Sequence, residues 1–313
     1  MSITVDANYV SSQLKGLQEP FRQGVQISLE SYKPQNFIKF YNTTEWSEEF
    51  ISYEGAEGVR ELGELEEPDP ISLNEGWTIS ITPARFGGAI EISEDTMVKS
   101  EDSTIKVDRY IAEQRNQVLK SMVNTMMVKA YYPYVNAFNS SATVLAPDGV
   151  ELCGAHLTKD GSAWFTNKTT AKLSEASYKA AVAYAGAFHD PTDDTKPNPL
   201  TWKAIMVKKG GNAADTAKRL FANNISPTQI NDINLYQGEL TIIETPYISN
   251  TEHWFLLDDT IEESPVVCGM NKAISFSEPM VQKNNAVRTN ITMYLKRGIV
   301  KLPINIYGGD GTV

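Results

Sequence analysis

The chain has 313 residues and a net charge of −11, and 41% of its residues are hydrophobic. This composition suffices for a packed core and excludes a disordered protein. No run of about 18 apolar residues predicts a membrane span, and the N-terminal residues lack the basic and apolar regions of a signal peptide. The two cysteines, Cys153 and Cys268, fit a reducing compartment and argue against a disulfide framework. We therefore expect a protein that stays in the cytoplasm where it is made.

Residues 1–35 are predicted to form an extended or partly helical arm. Apolar residues follow helical spacing until Pro20 and Gly24 interrupt it, at Tyr9, Val10, Leu14, Leu17 and Phe21. A terminus of this kind normally frays unless packing holds it. We expect this arm to be held by packing, with another chain as one possible partner.

Residues 46–97 read as a long two-armed β segment. The rising arm is WSEEFISYEG, and in the returning arm Trp77, Ile79 and Ile81 alternate with polar residues, which is the period of a strand with one buried face. Glycines, prolines and carboxylates fill the stretch between the arms. An isolated hairpin is marginal in water, so the apolar face is expected to lie against a neighbouring subunit.

Charge is distributed unevenly along the sequence. Between residues 45 and 75 there are eleven carboxylates and one cation, Arg60, whereas the sign reverses after residue 283. Such a chain is electrostatically complementary to copies of itself. The alternative, that both groups of charges only solvate exposed faces, stays open.

A long helix is predicted after Ser93, because no glycine or proline occurs before Pro133. It carries a helical stripe with several methionines, which we interpret as core packing: Ile111, Val118, Leu119, Met122, Val123, Met126 and Met127. If it runs from about Ser103 to Tyr132, its length is about 45 Å.

The following region predicts an alternation of helices and strands. Ser174 is a suitable cap for a helix that ends near Phe188. Further elements are predicted at residues 202–208 (strand), 212–223 (helix), 240–244 (strand) and 254–257 (strand). Residues 272–307 then alternate as strands again.

No catalytic motif occurs in the sequence: there is no nucleophile elbow, Walker loop or zinc helix. Cys153 and His156 have a spacing that zinc sites use, and His189 with nearby aspartates could complete a ligand set. An ordinary structural role for His156 is the stronger interpretation, so we expect no catalytic, cofactor-binding or metal site. The acidic composition also disfavours a protein that tracks phosphates.

This order of elements resembles the major capsid proteins of tailed bacteriophages, which share the Hong Kong 97 capsid fold. Residues GGAIEISEDTMV, KSEDSTIKVDRY and GVELCGAHLTKDGSAWFTN carry the resemblance, the last being similar to Mu-like major head subunits. The resemblance implies an α+β fold divided into an N-terminal arm (1–35), a peripheral-domain strand (36–45), an extended β loop (46–97), a spine helix with peripheral domain (98–171), an axial α/β domain (172–271) and peripheral C-terminal strands (272–313).

The resemblance also implies a function. The chain would be a head subunit that assembles with itself as hexamers and pentamers into an icosahedral shell, enclosing double-stranded DNA without sequence-specific binding and without a membrane. It would be found in the virion after assembly in the host cytoplasm. Expected partners are a portal, a separately encoded scaffold, since the arm begins almost at Met1, and possibly a decoration protein. Alternatives are an encapsulin-type nanocompartment shell and a cytoplasmic metal-dependent enzyme using Cys153, His156 and His189.

Two expectations concern contacts between subunits. In the type member of the fold a lysine of the extended loop forms an isopeptide bond with a neighbour, but residues 47–92 contain no lysine here. Contacts between subunits are instead expected to be non-covalent. The extended loop, with its apolar and acidic residues, is expected to dock on a basic surface of the adjacent subunit. The candidate residues are Trp46, Phe50, Glu61, Glu64, Glu66, Glu67, Trp77 and Ile79 on the loop, and Arg288, Lys296 and Arg297 on the adjacent subunit.

Overall fold

A computed structural model describes residues 7–16, 37–56, 67, 73–98, 104–190, 193–223, 234–258 and 264–313. The helices are α1 (Ala7–Gly16), α2 (Glu94–Val98), α3 (Thr104–Ala130), α4 (Tyr132–Val135), α5 (Glu175–Gly186) and α6 (Asn212–Ala217), with a π-helical turn at Lys218–Ala222 and a 3-10 turn at Pro303–Asn305. The strands are β1 (Ile38–Asn42), β2 (Glu48–Ala56), β3 (Leu73–Ile81), β4 (Ala84–Ile92), β5 (Ala155–Leu157), β6 (Ala163–Thr166), β7 (Lys168–Thr169), β8 (His189–Asp190), β9 (Asp193–Pro197), β10 (Trp202–Lys208), β11 (Thr241–Thr245), β12 (Trp254–Asp258), β13 (Val266–Phe276), β14 (Met280–Val281), β15 (Val287–Leu295), β16 (Ile299–Val300) and β17 (Ile306–Gly309).

A six-stranded sheet is built around β13 and β15. Strand β1 pairs with β13 in parallel, and β15 pairs with β13, β14 and β4 in antiparallel fashion. The register between β4 and β15 extends from Ala84 opposite Leu295 to Ile92 opposite Val287. Residues 84–92, expected within the extended loop, therefore belong to this sheet. Pro83, which has no N–H for a strand ladder, separates β4 from β3.

The spine helix α3 has 27 residues and a length of about 40 Å. Its predicted stripe is confirmed: Ile111, Met122, Val123, Met126 and Met127 are buried, and Val118 and Leu119 are partly buried against the same core. The helix ends at Ala130, earlier than expected, and Pro133 lies in the short helix α4 that follows.

The N-terminal helix α1 confirms that part of the arm is helical. Val10 and Leu14 are buried in the main core, and the Tyr9 hydroxyl donates to Asp108 Oδ1 of α3 at 2.9 Å. This part of the arm is thus held by its own chain. Leu17, Phe21, Pro20 and Gly24 lie outside the described residues.

A second, five-stranded sheet has the order β11-β10-β12-β17-β7. Strand β12 is buried throughout, and α5 and α6 contribute to the core on this sheet. Ser174 caps α5 as predicted, because its hydroxyl accepts from Ser177 N at 3.1 Å and Ser177 Oγ accepts from Ser174 N at 2.8 Å. The helix predicted at 212–223 is present as α6 followed by the π-helical turn.

Two of the expected domain boundaries differ from the sheet arrangement. Strand β13 runs through residue 271, where the axial segment was expected to end, and it lies wholly in the six-stranded sheet. Strand β17, expected with the peripheral C-terminal strands, instead pairs with β12 and β7 in the five-stranded sheet. The division into peripheral and axial domains stays a prediction, whereas the α+β class is confirmed. Among the described residues, no helix combines the length and apolar character needed to cross a bilayer.

Candidate functional site

Strands β2 and β3 form a hairpin that is a two-stranded sheet of its own. Glu48 lies opposite Ile81 at the base, and Phe50 lies opposite Ile79 two residues further out. Nine residues of strand span about 30 Å. The hairpin is therefore about 30 Å long, and the chain enters and leaves it at a base formed by one residue pair, Glu48 and Ile81.

One face of the hairpin packs on its own subunit. Ile81 forms a small buried cluster with Val267 and Ile299 of the six-stranded sheet, and Phe50 and Tyr41 lie partly buried against it. The alternation predicted for the returning arm is confirmed, but at its base the apolar face is covered by the same chain, where a neighbouring subunit was expected.

A buried lysine lies at the root of the hairpin. The Lys296 side chain is 0% exposed, and its Nζ lies 2.9 Å from Glu48 Oε2 and donates to the Glu45 carbonyl oxygen at 2.9 Å. The Tyr41 hydroxyl donates to the same Glu48 oxygen, and Asn271 Nδ2 donates to the Glu45 carbonyl. We call Tyr41, Glu45, Glu48, Asn271 and Lys296 the root cluster.

The root cluster favours an ionised Glu48. Desolvation raises the pKa of its carboxyl group, but hydrogen bonds from Thr43, Tyr41 and Lys296, with the charge of Lys296, outweigh this and leave the pKa below its usual value. Burial, followed by the interaction with Glu48, raises the pKa of Tyr41 well above its usual value. Tyr41 is therefore a neutral donor and Glu48 an anionic acceptor at neutral pH.

Further out, the hairpin makes lateral contacts with the β5–β6 region. Trp77 Nε1 donates to the Leu157 carbonyl oxygen at 3.2 Å, and the Glu54 carboxylate accepts from the backbone N–H of Lys159. Between these contacts and the body lies a cavity of about 70 Å³. Its lining includes Ser52, Trp77, His156, Trp164, Leu302 and Pro303. The hairpin is thus packed tightly at its root and loosely along its length.

The Cys153 and His156 pair proposed for zinc has other partners. The His156 ring is buried, its Nδ1 lies 2.9 Å from Asp148 Oδ2, and it stacks on Phe165 with ring centroids 4.7 Å apart. Cys153 is a buried free thiol whose pKa is raised by burial. His189 lies in β8, and the part of the chain that is described holds no cluster of three His, Cys, Asp or Glu side chains suited to a metal. The ring contacts of His156 with Asp148 and with Phe165 are thus made within its own chain.

The predicted contact residues on the loop have different environments. Trp46 is 60% exposed and its ring lies 5.8 Å from that of Tyr294, whereas Phe50, Trp77 and Ile79 are partly buried. Glu67 is exposed. Glu61, Glu64 and Glu66 lie outside the described residues.

The three predicted basic partners also differ. Arg297 is exposed. Arg288 donates to Asn290 Oδ1 at 3.0 Å and lies 3.8 Å from Glu91 Oε2, so its side chain is already engaged within the subunit. Lys296 corrects the expectation: it is buried in the root cluster and pairs with a carboxylate of its own chain. A neighbouring loop cannot reach this ammonium group in the observed conformation.

Sequence reasoning missed Tyr41 and Glu48 as parts of this site. A usable signal was present, because Glu48 and Phe50 are two residues apart in a strand and so share a face. A carboxylate on a partly buried face requires a partner. The pattern did not reveal that the partner was Lys296.

No protein-family model and no curated protein matches this sequence. Among solved structures, the head of Helicobacter pylori bacteriophage KHP40 has a TM-score of 0.52 at 11% identity, covering 87% of this chain and 86% of that one. The mature capsid of bacteriophage PhiM1 has a TM-score of 0.51 at 9% identity, covering 89% and 86%. The capsid of a native GTA particle has a TM-score of 0.50 at 11% identity, covering 90% and 88%.

These similarities establish the fold, which is the Hong Kong 97-like capsid fold that the sequence resemblance implied. In the described residues its main parts are the six-stranded and five-stranded sheets, the long helix α3 and the β2–β3 hairpin.

Proposed function

We propose that this protein is a major capsid subunit that assembles with itself into the icosahedral shell around the double-stranded DNA of a tailed bacteriophage. The observation that carries the proposal is the separate β2–β3 hairpin with exposed apolar side chains on a body that has the capsid fold. Its base packs on its own subunit, while Ile51 on the described part is 39% exposed and Trp46 at its start is 60% exposed. Exposed large apolar side chains on a projecting element are typical of surfaces that bind another protein.

In this proposal the protein has a structural role and no catalytic one. Copies of the chain form hexamers and pentamers, a portal complex occupies one vertex, a scaffold protein guides assembly, and a decoration protein is an optional partner on the outer surface. Assembly takes place in the host cytoplasm and the product is the virion. DNA is enclosed without sequence-specific recognition, in keeping with the net charge of −11.

The direct test is expression of the full chain, followed by analytical ultracentrifugation and electron microscopy. Closed shells of uniform diameter support the proposal, and a small oligomer at all protein concentrations contradicts it. Particles from infected or induced cells add a second readout. DNA-filled heads with a portal support a phage capsid, whereas DNA-free shells loaded with protein cargo support an encapsulin-type shell. Stoichiometric zinc in a small oligomer supports the metal-dependent enzyme.

A matched pair of variants tests the role of the hairpin. Ile51→Asp places a charge on its exposed face and is expected to prevent shell formation, because a buried unpaired charge is costly at an interface. Val182→Asp makes a similar change at another exposed β-branched residue, on α5, which is 42% exposed. Circular dichroism should show folded subunits in both cases. If Ile51→Asp forms shells as well as Val182→Asp, the exposed face of the hairpin is not an assembly contact.

A further inference from the structure

The root cluster contains a fully buried lysine, Lys296, at the point where the hairpin joins the six-stranded sheet. Lysine is almost never fully buried unless it is paired, and Lys296 is 0% exposed. Its two named partners, Glu48 and the Glu45 carbonyl, both lie where the chain leaves β1 and enters the hairpin. The lysine itself follows β15 of the six-stranded sheet. The contact therefore joins the six-stranded sheet to the segment through which the chain enters the hairpin.

Neighbouring groups fix the same two acceptors from other directions. Tyr41, at the end of β1, donates to Glu48, and Asn271 of β13 donates to the Glu45 carbonyl. The Lys296 carbonyl in turn accepts from Cys268 Sγ at 3.1 Å. Three strands of the sheet thus contribute to the position of one short linker. Because hydrogen bonds depend on direction, these contacts fix the angle between the hairpin and the six-stranded sheet. Apolar contacts alone do not fix it.

The remaining contacts of the hairpin with the body are less restrictive. The apolar cluster has three buried members, Ile81, Val267 and Ile299. Beyond it the hairpin spans the cavity and is held to the β5–β6 region by two hydrogen bonds, from Trp77 to the Leu157 carbonyl and from the Lys159 N–H to Glu54. For a lever of about 30 Å, a rotation of about 10° at the root moves the far end by about 5 Å. Small changes in the root cluster therefore have large effects on where the hairpin points.

We propose that Lys296, Glu48 and Tyr41 form a polar lock that holds the hairpin at one angle to the six-stranded sheet, and that loss of the Glu48 charge frees the hairpin to swing. A buried ion pair is often no more stabilising than apolar residues of the same volume. The lock therefore fixes the orientation of the hairpin more than it stabilises the folded subunit. This inference depends on the proposed function only in assigning the swing to a step of shell assembly.

The charged and titratable groups around Glu48 determine the sign of its response to acid. Lys296 faces it from the end of β15, Tyr41 from β1 and Cys268 lies behind them on β13, while Lys301 lies over the Phe50 ring at 5.7 Å. On its own strand the next carboxylate is the exposed Glu49. Because the pKa of Glu48 is below its usual value of about 4.3, the lock is intact above that pH. It opens as the pH falls through the folded-state pKa, because a neutral Glu48 no longer forms an ion pair and Lys296 keeps only the Glu45 carbonyl as a partner.

The test measures hairpin position in the full-length, unassembled subunit. Spin labels on Glu75→Cys, six residues from Ile81 in the hairpin, and Val182→Cys on α5 occupy exposed sites, while the native Cys153 and Cys268 are buried. Pulsed electron resonance should give a narrow distance distribution at neutral pH. Glu48→Gln should broaden it by several ångströms, and Glu49→Gln, the matched control on the same strand, should leave it unchanged. Wild type should broaden below about pH 4, whereas Glu48→Gln should show no further change.

A second variant covers the case in which Glu48→Gln fails to fold. Replacing both charges in Glu48→Leu with Lys296→Met leaves no unpaired charge, so the body should remain folded by circular dichroism. Its distance distribution should still be broad, because the directional contacts are gone. A narrow, wild-type distribution in either variant overturns the inference and shows that packing alone sets the angle. Shell formation is measured separately, so a failure of the lock is distinguishable from a failure of the capsid proposal.

Discussion

Gly309 of β17 lies directly opposite Trp254 of β12, and the indole ring occupies the space where a Cβ on residue 309 would be. Trp254 is fully buried, and its Nε1 donates to the Ala171 carbonyl oxygen at 3.1 Å. The ring thus joins the segment that precedes α5 to the last strand of the chain. A glycine at position 309 is what allows β17 to close the five-stranded sheet.

We expect Gly309→Ala to destabilise the subunit. The added methyl group overlaps the ring of Trp254, which cannot move without losing its hydrogen bond, and overpacking of this kind costs about 3 kcal/mol at the upper end of its usual range. The matched control is Gly88→Ala, also in a strand, where a Cβ meets nothing within 4 Å. Urea unfolding should show a lower midpoint for Gly309→Ala only. Equal midpoints would mean that the ring and strand adjust freely.

Acid stability should depend on Asp148. Desolvation raises the pKa of this carboxyl group, but the hydrogen bond and charge of His156 and the backbone N–H groups of Leu157 and Val150 lower it below its usual value. A lowered folded-state pKa stabilises the protein above the unfolded value of about 3.9 and this contribution is lost as the pH falls through the folded value.

Asp148→Asn should therefore lower the free energy of unfolding at neutral pH by about 1–3 kcal/mol and flatten its decline in acid. Glu278→Gln removes a carboxylate whose side chain is 88% exposed and serves as the control. Urea midpoints measured from neutral pH to about pH 3 give both readouts. A parallel pH dependence in wild type and Asp148→Asn would contradict the assignment.

Mature particles should contain no isopeptide links between subunits formed by a lysine of the extended loop. Residues 47–92 contain no lysine, and an isopeptide bond needs a lysine amine. Denaturing gel electrophoresis of purified particles is expected to show the monomer band alone. A ladder of higher bands that survives reducing agent would contradict this prediction.

Local patterns in the sequence predicted local elements well. The methionine stripe located the buried face of α3, and Ser174 marked the start of α5, because helical periodicity and capping depend on residues within one or two turns. Strand pairing is different. The alternation in the returning arm gave the buried face of β3 but not the break at Pro83, after which β4 joins β15 some two hundred residues later in the chain.

The environment of Lys296 shows the same limit for the candidate site. The sequence gives it as a cation beside Arg297 in a basic segment, and one of the two is buried while the other is exposed. The Lys296 Nζ bonds a carbonyl 251 residues away in sequence. Whether a lysine is buried depends on such a tertiary partner, and composition and spacing contain no information about it. The charge pattern alone therefore assigned it to the wrong surface.

Charge reversal tests whether the acidic loop docks on a basic surface of another subunit. Changing Glu64, Glu66 and Glu67 to lysine should impair assembly, because the loop then repels that surface. Single exposed pairs contribute about 0–1 kcal/mol, so the effect depends on repetition over a closed lattice. Shell yield at low salt, measured by sedimentation, is the readout. Reversing Arg297 to glutamate in the same chain should partly restore the yield, since Arg297 is exposed.

Arg288→Glu provides the comparison, because Arg288 already lies beside Glu91 and Asn290 and its reversal also disturbs its own strand. It should restore assembly less well than Arg297→Glu. Salt gives an independent check: the Debye length falls from about 8 Å at physiological ionic strength to about 3 Å at 1 M, so the wild-type and triple-variant yields should converge at high salt. If the triple variant forms shells as well as wild type at low salt, charge does not guide docking and the loop is held by apolar contacts alone.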